Sequence, residues 1–327
     1  MTSSIPLWRQ IQRENFTRIP PLLDFLELSE ELRKRSILPS PRFPLNLPRR
    51  LAAKIAKNTL DDPILRQFVP LVEETVQASG FTPEPLQDSS FRKSKKLLKK
   101  YNGRALILTT SSCAMNCRFC FRQNFPYETE KIGFEEEIAQ LSQDASISEI
   151  ILSGGDPLSL SNDILSSLFQ TLDAIPHLRR IRFHSRFPVG IPERIDDSFL
   201  SILAASSKQI VFVIHCNHPR EMDPDVIASL KKIAFLGIPI LNQSVLLKGV
   251  NNNPEVLLTL SEILTNSGII PYYLHAHDPV EGASHFALPS STGPELIRYL
   301  REHTSGYGVP RFVREEPGYP SKTFIST

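Results

Sequence analysis

The stretch "SEIILSGGDPLSLSNDILSSLFQTLDAIPHLRRIRFHSR", residues 148–186, contains one complete repeat of the pattern on which the chain is built. It opens on a short β-branched run, "SEIILSGG", and closes on another, "IRFHSR". Between them "DILSSLFQTLDAI" carries apolar residues at helical spacing. Strand, helix and strand in that order form a βαβ unit, whose crossover sets the two strands parallel. The pattern extends both ways. "ALILTTSS" (105–112) precedes the unit, and "QIVFVIHCN" (209–217), "PILNQSVLL" (239–247) and "GIIPYYLHAH" (268–277) follow it. "PDVIASLKKIAFLG" and "NPEVLLTLSEILTNSG" supply further amphipathic helices. Right-handed crossovers wind such strands into an open sheet or around a barrel. In both cases functional residues gather just past the strands' C-terminal ends.

The unusual polar residues of this chain fall at those ends. "GGDP" ends the second strand, "HSR" the third, "HCNHPRE" the fourth and "HAHDPVEG" the sixth. After the first strand comes "SSCAMNCRFCFRQNFPY" (111–127), with Cys113, Cys117 and Cys120 spaced Cys-x3-Cys-x2-Cys. A structural zinc normally takes four ligands, and an iron–sulfur electron carrier usually takes four cysteines. Three thiolates on a 4Fe–4S cluster leave one iron open to a small chelating molecule. A zinc site would need a histidine or a distant cysteine as fourth ligand, and no histidine lies in the loop. The spacing favours the cluster, with a non-catalytic iron–sulfur carrier or a structural zinc protein as the alternative. Cys216, in an apolar run, reads as a buried small hydrophobe.

Bulk composition is that of a globular protein with a sizeable core: 327 residues, 41% hydrophobic and 22% charged. A net charge of +2 gives no general reason to expect a nucleic acid or membrane partner. No run has the length of a transmembrane helix, and "MTSSIPLWRQIQREN" lacks the features of a signal peptide. The expected compartment is the cytoplasm, where thiols stay reduced. Residues 1–100 read as a helical region, with "DFLELSEELRKRS" and "DPILRQFVPLVEETVQAS" as helices and "LPSPRFPLNLP" as a connector. The basic "FRKSKKLLKKYNGR" (91–104) reads as a solvated helix face, or else as a site for an anionic partner. The α/β domain is then 101–290, and 291–327 forms a C-terminal segment.

"CAMNCRFC", with an aromatic residue just before the third cysteine, resembles the radical S-adenosylmethionine superfamily. "SGGDP" resembles its glycine-rich S-adenosylmethionine contact, with Asp156 where glutamate is usual. "CRFCFR", "SGGDPL", "HSRFPVGIPERI", "NHPRE", "NQSVLLKGVN", "PYYLHAHDPVEGASHF" and "HTSGYGVPRFV" together are similar to the lysine 2,3-aminomutases. The resemblance is greatest to the short branch that makes (R)-β-lysine for modification of translation elongation factor P. Longer catabolic members carry zinc-binding cysteines in a C-terminal extension. With no cysteine after Cys216, this chain is expected to lack that zinc site.

The resemblance implies a partial (β/α)6 barrel and an isomerase using a 4Fe–4S cluster, S-adenosylmethionine and pyridoxal phosphate. It places the cluster on Cys113, Cys117 and Cys120, and the S-adenosylmethionine contact at Gly154, Gly155 and Asp156. Pyridoxal phosphate would form a Schiff base with Lys322 in "REEPGYPSKT", where the family's glycine run is reduced to Gly318. Read without the resemblance, Lys322 is a solvated tail residue. Arg122 matches a carboxylate-binding arginine, and Asp278 and Glu315 match acids that take the distant ammonium of lysine. Arg104 matches an arginine near the cofactor, and His184, Arg186, His215, Asn217 and Gln243 would wall the cofactors. Implied partners are lysine, a flavodoxin- or ferredoxin-type electron donor, and a ligase acting on elongation factor P. A glutamate 2,3-aminomutase is the related alternative, which Asp278 and Glu315 oppose because they would repel a second carboxylate.

Overall fold

The structure is a computed structural model that describes residues 5–128 and 133–326. Five short helices come first: α1 (Leu7–Arg13), α2 (Ile19–Phe25), α3 (Glu30–Ser36), α4 (Arg49–Ala52) and α5 (Pro63–Phe68). A sheet follows, with its strands lying side by side in chain order. They are β1 (Leu97–Tyr101), β2 (Arg104–Thr110), β3 (Glu149–Gly154), β4 (Arg180–Ser185) and β5 (Gln209–His215), then β6 (Ile240–Val245), β7 (Ile269–His275), β8 (Arg311–Arg314) and β9 (Thr323–Phe324). Neighbours from β2 to β8 pair in parallel, and β1 and β9 pair antiparallel at the two edges. The crossovers carry α6 (Glu135–Gln143), α7 (Asn162–Asp173), α8 (Phe187–Gly190) with α9 (Asp197–Ala205), α10 (Pro224–Ala234), α11 (Pro254–Asn266) and α12 (Thr292–His303). β2 to β7, each with its following helix, are the six expected β/α units, and β8 adds a further parallel strand.

Alternation along the strands separates core from site. Ile150 and Leu152 of β3 and Ile181 and Phe183 of β4 are fully buried in the main apolar cluster. Phe183 stacks on Phe212 of β5 at 5.4 Å and meets Phe199 of α9 at 5.6 Å, which locks strands to helix. The intervening residues Ser153 and His184 border one cavity together with Leu106, His215, Gln243 and His275. Six flat strands would span about 24 Å between their outer members. The same cavity is lined by Leu98 of β1 and Phe324 of β9, so the sheet curls until its two edge strands, unpaired with each other, face one space. This is a partial barrel.

The basic run departs from its expected form. It is not a solvated helix: Leu97–Tyr101 is β1, joined to β2 by a tight turn at Asn102 and Gly103 with Tyr101 paired to Arg104. Gly103 has φ +75°, the left-handed conformation that an Asn-Gly hairpin turn demands. Leu97 and Leu98 are buried, Lys96 Nζ donates to Gly133 O (2.8 Å), and Lys100 borders the cavity. β1 thus starts within the residues expected to be helical, and β8 and β9 of the C-terminal segment belong to the same sheet. No described helix is long and apolar enough to cross a membrane.

Candidate active site

The cysteine loop leaves the end of β2 and is tied down by residues far earlier in the chain. Asn46 Nδ2 donates to Cys113 O (3.0 Å), Asn15 Nδ2 to Ala114 O (2.8 Å), and the Arg118 amide to Gln67 O (2.9 Å). The Arg118 side chain is buried and donates to Glu74 Oε1 and Phe43 O, both at 2.8 Å. The three thiols are half-buried. Burial pushes Cys113 well up, with the nearby Asp156, Cys120 and Cys117 adding to it. Burial, then Cys117, pushes Cys120 up to about 11. Sulfurs that oppose one another's ionisation are stabilised by a shared cationic group. Among the described residues, no three His, Cys, Asp or Glu side chains gather closely enough to hold a single metal ion. A mononuclear zinc needs every sulfur about 2.3 Å from one centre. A four-iron cube takes one thiolate per iron, and three free thiols on one loop can supply three of them.

The glycine run has a different immediate partner from the ligand expected of it. A Cβ on Gly155 would lie 2.4 Å from Ser112 O, inside the cysteine loop itself. Gly154 has φ +111°, and a Cβ there would meet Leu108 Cα and Thr110 O at 3.0 Å. The Gly155 amide donates to Thr110 O (2.6 Å) and the Asp156 amide to Ser112 O (2.8 Å). The buried Asp156 carboxylate accepts from Ser185 Oγ (2.8 Å) and from the amides of Leu158 (3.0 Å), Arg186 (2.8 Å) and Phe187 (2.9 Å). Its acceptor sites are thus engaged in joining the ends of β3 and β4. Gly154, Gly155, Asp156, Cys113, Arg186 and Asn217 are not among the residues bordering the cavity. Cys216 is fully buried away from it.

The cavity does bring together Cys117, Cys120, Arg122, Asp278, Glu315 and Lys322. A chain of charges runs along it. Arg122 Nε donates to Asp88 Oδ2 (2.7 Å), and Lys100 Nζ bridges Asp88 and Glu315 Oε1 (2.9 Å to the latter). Lys322 Nζ donates to the other oxygen of Glu315. Burial would raise Glu315, but the two ammonium groups hold its carboxyl well below the usual range. Asp278 is opposite in behaviour. Burial, then the charge of Glu315, raises it to about 7, against the pull of Lys322 and Lys100.

Three imidazoles face this chain. Burial keeps His184 and His215 neutral, well below the usual histidine range, and lowers His275 to about 3. His184 and His215 border the cavity and each has a buried Nε2 without a hydrogen-bond partner. Such atoms are costly unless a ligand engages them. Gln243 Nε2 lies 3.5 Å from His184 Nδ1, and the Arg104 guanidinium lies 4.5 Å over the Tyr101 ring. Asp88, Lys100, Tyr101, Arg182 and His275 also border the cavity and were not singled out from sequence. The available signal was Asn102-Gly103, which marks a hairpin and would have turned the preceding lysines from a helix face into a strand.

A family model described as a 4Fe-4S single cluster domain matches residues 101–179, which contain all three loop cysteines. An L-lysine 2,3-aminomutase of Haemophilus influenzae is 39% identical across 98% of this chain and 95% of its own. One of Escherichia coli is 40% identical across 86% of this chain and 83% of its own. The chain belongs to the L-lysine 2,3-aminomutase family. A radical SAM methyltransferase from Sphaerobacter thermophilus, 18% identical, aligns over 66% of this chain and 68% of its own with a TM-score of 0.48. Lysine 2,3-aminomutases are isomerases that work with a 4Fe–4S cluster, S-adenosylmethionine and pyridoxal phosphate. The residues present fit that set: a trio of thiols, a cavity-side primary amine, and two buried imidazole nitrogens with unmet hydrogen bonds.

Proposed function

We propose that the protein shifts the α-amino group of L-lysine to the neighbouring carbon, giving β-lysine. One observation carries the reading: Lys322 opens on the same cavity as Cys117 and Cys120. An amine and a cluster site at opposite ends of the molecule could not serve one reaction. When bound, the cluster and S-adenosylmethionine supply a carbon radical, and pyridoxal phosphate supplies a π-bond to the migrating nitrogen.

The chain's own residues bind, orient and exclude water. Asp88 occupies only the Nε edge of Arg122 among the described hydrogen bonds, which leaves two terminal nitrogens for a planar grip on the substrate carboxylate. Asp278, with no side-chain hydrogen bond among the described residues, offers its carboxylate to the substrate's distant ammonium. Glu315 is shared. Its grip on Lys322 keeps that amine at the cavity wall, and Lys100 neutralises part of its remaining charge. Arg104, His184, His215 and Gln243 line the space for the cofactors, and the neutral imidazoles add donors there without adding charge. The curled sheet encloses these groups, which limits quenching of a radical by solvent.

The resemblance to the short branch supports three further parts of this reading. Electrons come from a flavodoxin- or ferredoxin-type donor, the β-lysine goes to a ligase acting on elongation factor P, and the compartment is the cytoplasm. A test supplies anaerobically prepared, iron-loaded protein with labelled lysine, pyridoxal phosphate, S-adenosylmethionine and a reductant, then separates the α and β isomers. Absence of the β isomer overturns the reading, and turnover of glutamate in place of lysine transfers it to the related aminomutase.

A further inference from the structure

Against Cys117, and formed by residues that do not border the cavity, lies a closed ring of buried polar side chains. Arg186 Nη1 donates to Cys117 Sγ (2.8 Å), and its Nη2 donates to both Gln67 Oε1 and Glu221 Oε2, each at 2.7 Å. Gln67 Nε2 returns to Glu221 Oε1 (3.1 Å) and also donates to Pro63 O (3.0 Å). Asn217 closes the ring, with Nδ2 on Gln67 Oε1 (3.0 Å) and its amide on Glu221 Oε1 (3.1 Å). The faces of Phe68 and Phe119 flank the guanidinium at 4.7 and 5.4 Å, so little water screens its charge. Gln67 also holds the cysteine loop directly, because its carbonyl accepts the amide of Arg118, the residue after Cys117.

We infer that Gln67 of α5 is a positioning residue for the cluster, holding Arg186 on the Cys117 sulfur and so raising the cluster's reduction potential. The inference rests on the reading that Cys113, Cys117 and Cys120 carry that cluster. Hydrogen bonds to cluster sulfurs and nearby charge set such potentials, because one-electron reduction adds negative charge that a donor stabilises. A guanidinium aimed at a ligand sulfur stabilises the reduced state more than the oxidised one. Glu221 offsets part of that charge, and Gln67 supplies the neutral acceptor that fixes the second nitrogen of the fork. The N-terminal helices thereby act on the ease with which the cluster accepts an electron.

The test is a reductive titration of iron-loaded wild type, Arg186→Met and Gln67→Met, followed by electron paramagnetic resonance of the reduced cluster. At a fixed solution potential, Arg186→Met should show at least tenfold fewer reduced clusters per oxidised one, a midpoint lower by about 59 mV. Gln67→Met, similar in size but without the acceptor, should shift the same way by a smaller amount. Trp8→Phe, a buried change outside the ring, should leave the midpoint in place. An unchanged midpoint in loaded Arg186→Met overturns the inference, and a shift there without one in Gln67→Met overturns the part given to Gln67. Where Arg186→Met takes up no iron, the Gln67→Met midpoint decides. Failure of the wild type to assemble a cluster would instead count against the cluster reading itself.

Discussion

Asp278 ionises near neutrality, so lysine recognition should depend on pH in a defined direction. Its carboxyl is raised to about 7 by burial and by Glu315. Below that pH the free site carries a neutral acid, and attraction for an ammonium falls. Lysine affinity should therefore weaken between pH 8 and pH 6, and Asp278→Asn should flatten that profile. A lost charged hydrogen bond of about 1.5–3 kcal/mol corresponds to roughly a ten- to hundredfold rise in the KM for lysine. S-adenosylmethionine binding should change little, and equal losses in both would remove Asp278 from the substrate site. Stability gives a second readout. A carboxyl raised from 3.8 to about 7 on folding contributes stability at pH values below 3.8 that is lost as pH rises through 7. Thermal melts of Asp278→Asn should exceed those of the parent at pH 8 and converge with them near pH 4. Lys322 is testable by colour: Lys322→Ala should remove the lysine-bound cofactor's absorbance near ~420 nm while iron content stays constant. Persistence of that band would assign the cofactor amine elsewhere. Replacing Cys113, Cys117 or Cys120 with Ser should each abolish iron loading, whereas Cys216→Ser should not.

At the level of elements, the junction of β3 with the cysteine loop is set by the absence of a side chain at Gly155. Gly155→Ala would place a Cβ 2.4 Å from Ser112 O, a backbone atom that cannot swing aside. The expected cost is about 1–3 kcal/mol of stability, together with lower iron content per chain as the loop shifts. Full iron loading with an unchanged melting temperature would show that the loop is not held by this contact. Gly155 also shows how far sequence reading reaches. Its two-residue neighbourhood signals close backbone approach, but only tertiary structure reveals that the approaching backbone is the cysteine loop. β2 to β7 are legible because each is a short β-branched or apolar run, with helical patterns read between β3 and β4, β5 and β6, and β6 and β7. β1 is not legible from its lysines. Their charge dominates the reading of residues 91–104, while the pairing that makes the strand comes from β2 across Asn102-Gly103. Glu221 lies in "NHPRE", but its pairing with Arg186 and Gln67 joins residues far apart in the chain and leaves no local pattern.

Across the whole molecule, one apolar cluster joins the N-terminal helices to the barrel's helical layer. Leu22, Leu51 and Phe68 belong to the same cluster as Ile181, Phe183 and Phe212. Trp8 of α1 makes the link specific. Its ring meets Phe187 edge-on at 5.6 Å, and the guanidinium groups of Arg9 and Arg194 each lie over it, 4.6 Å from its centre. Arg194 is itself buried and donates to Leu158 O (2.7 Å), just past the glycine run. A shared core of this kind predicts that the helices and the barrel unfold together. Trp8 is the chain's single tryptophan, so selectively excited fluorescence reports α1, whereas far-ultraviolet circular dichroism reports the whole fold. The two signals should give coincident denaturant midpoints in wild type. Trp8→Ala, followed by circular dichroism, should lower the midpoint by an amount matching about 3–5 kcal/mol, the usual cost of emptying a large buried aromatic site. A fluorescence transition well before the dichroism transition would make α1 an independently melting unit. The N-terminal helices would then not belong to the rigid frame that carries Asn15, Asn46 and Gln67 to the cysteine loop.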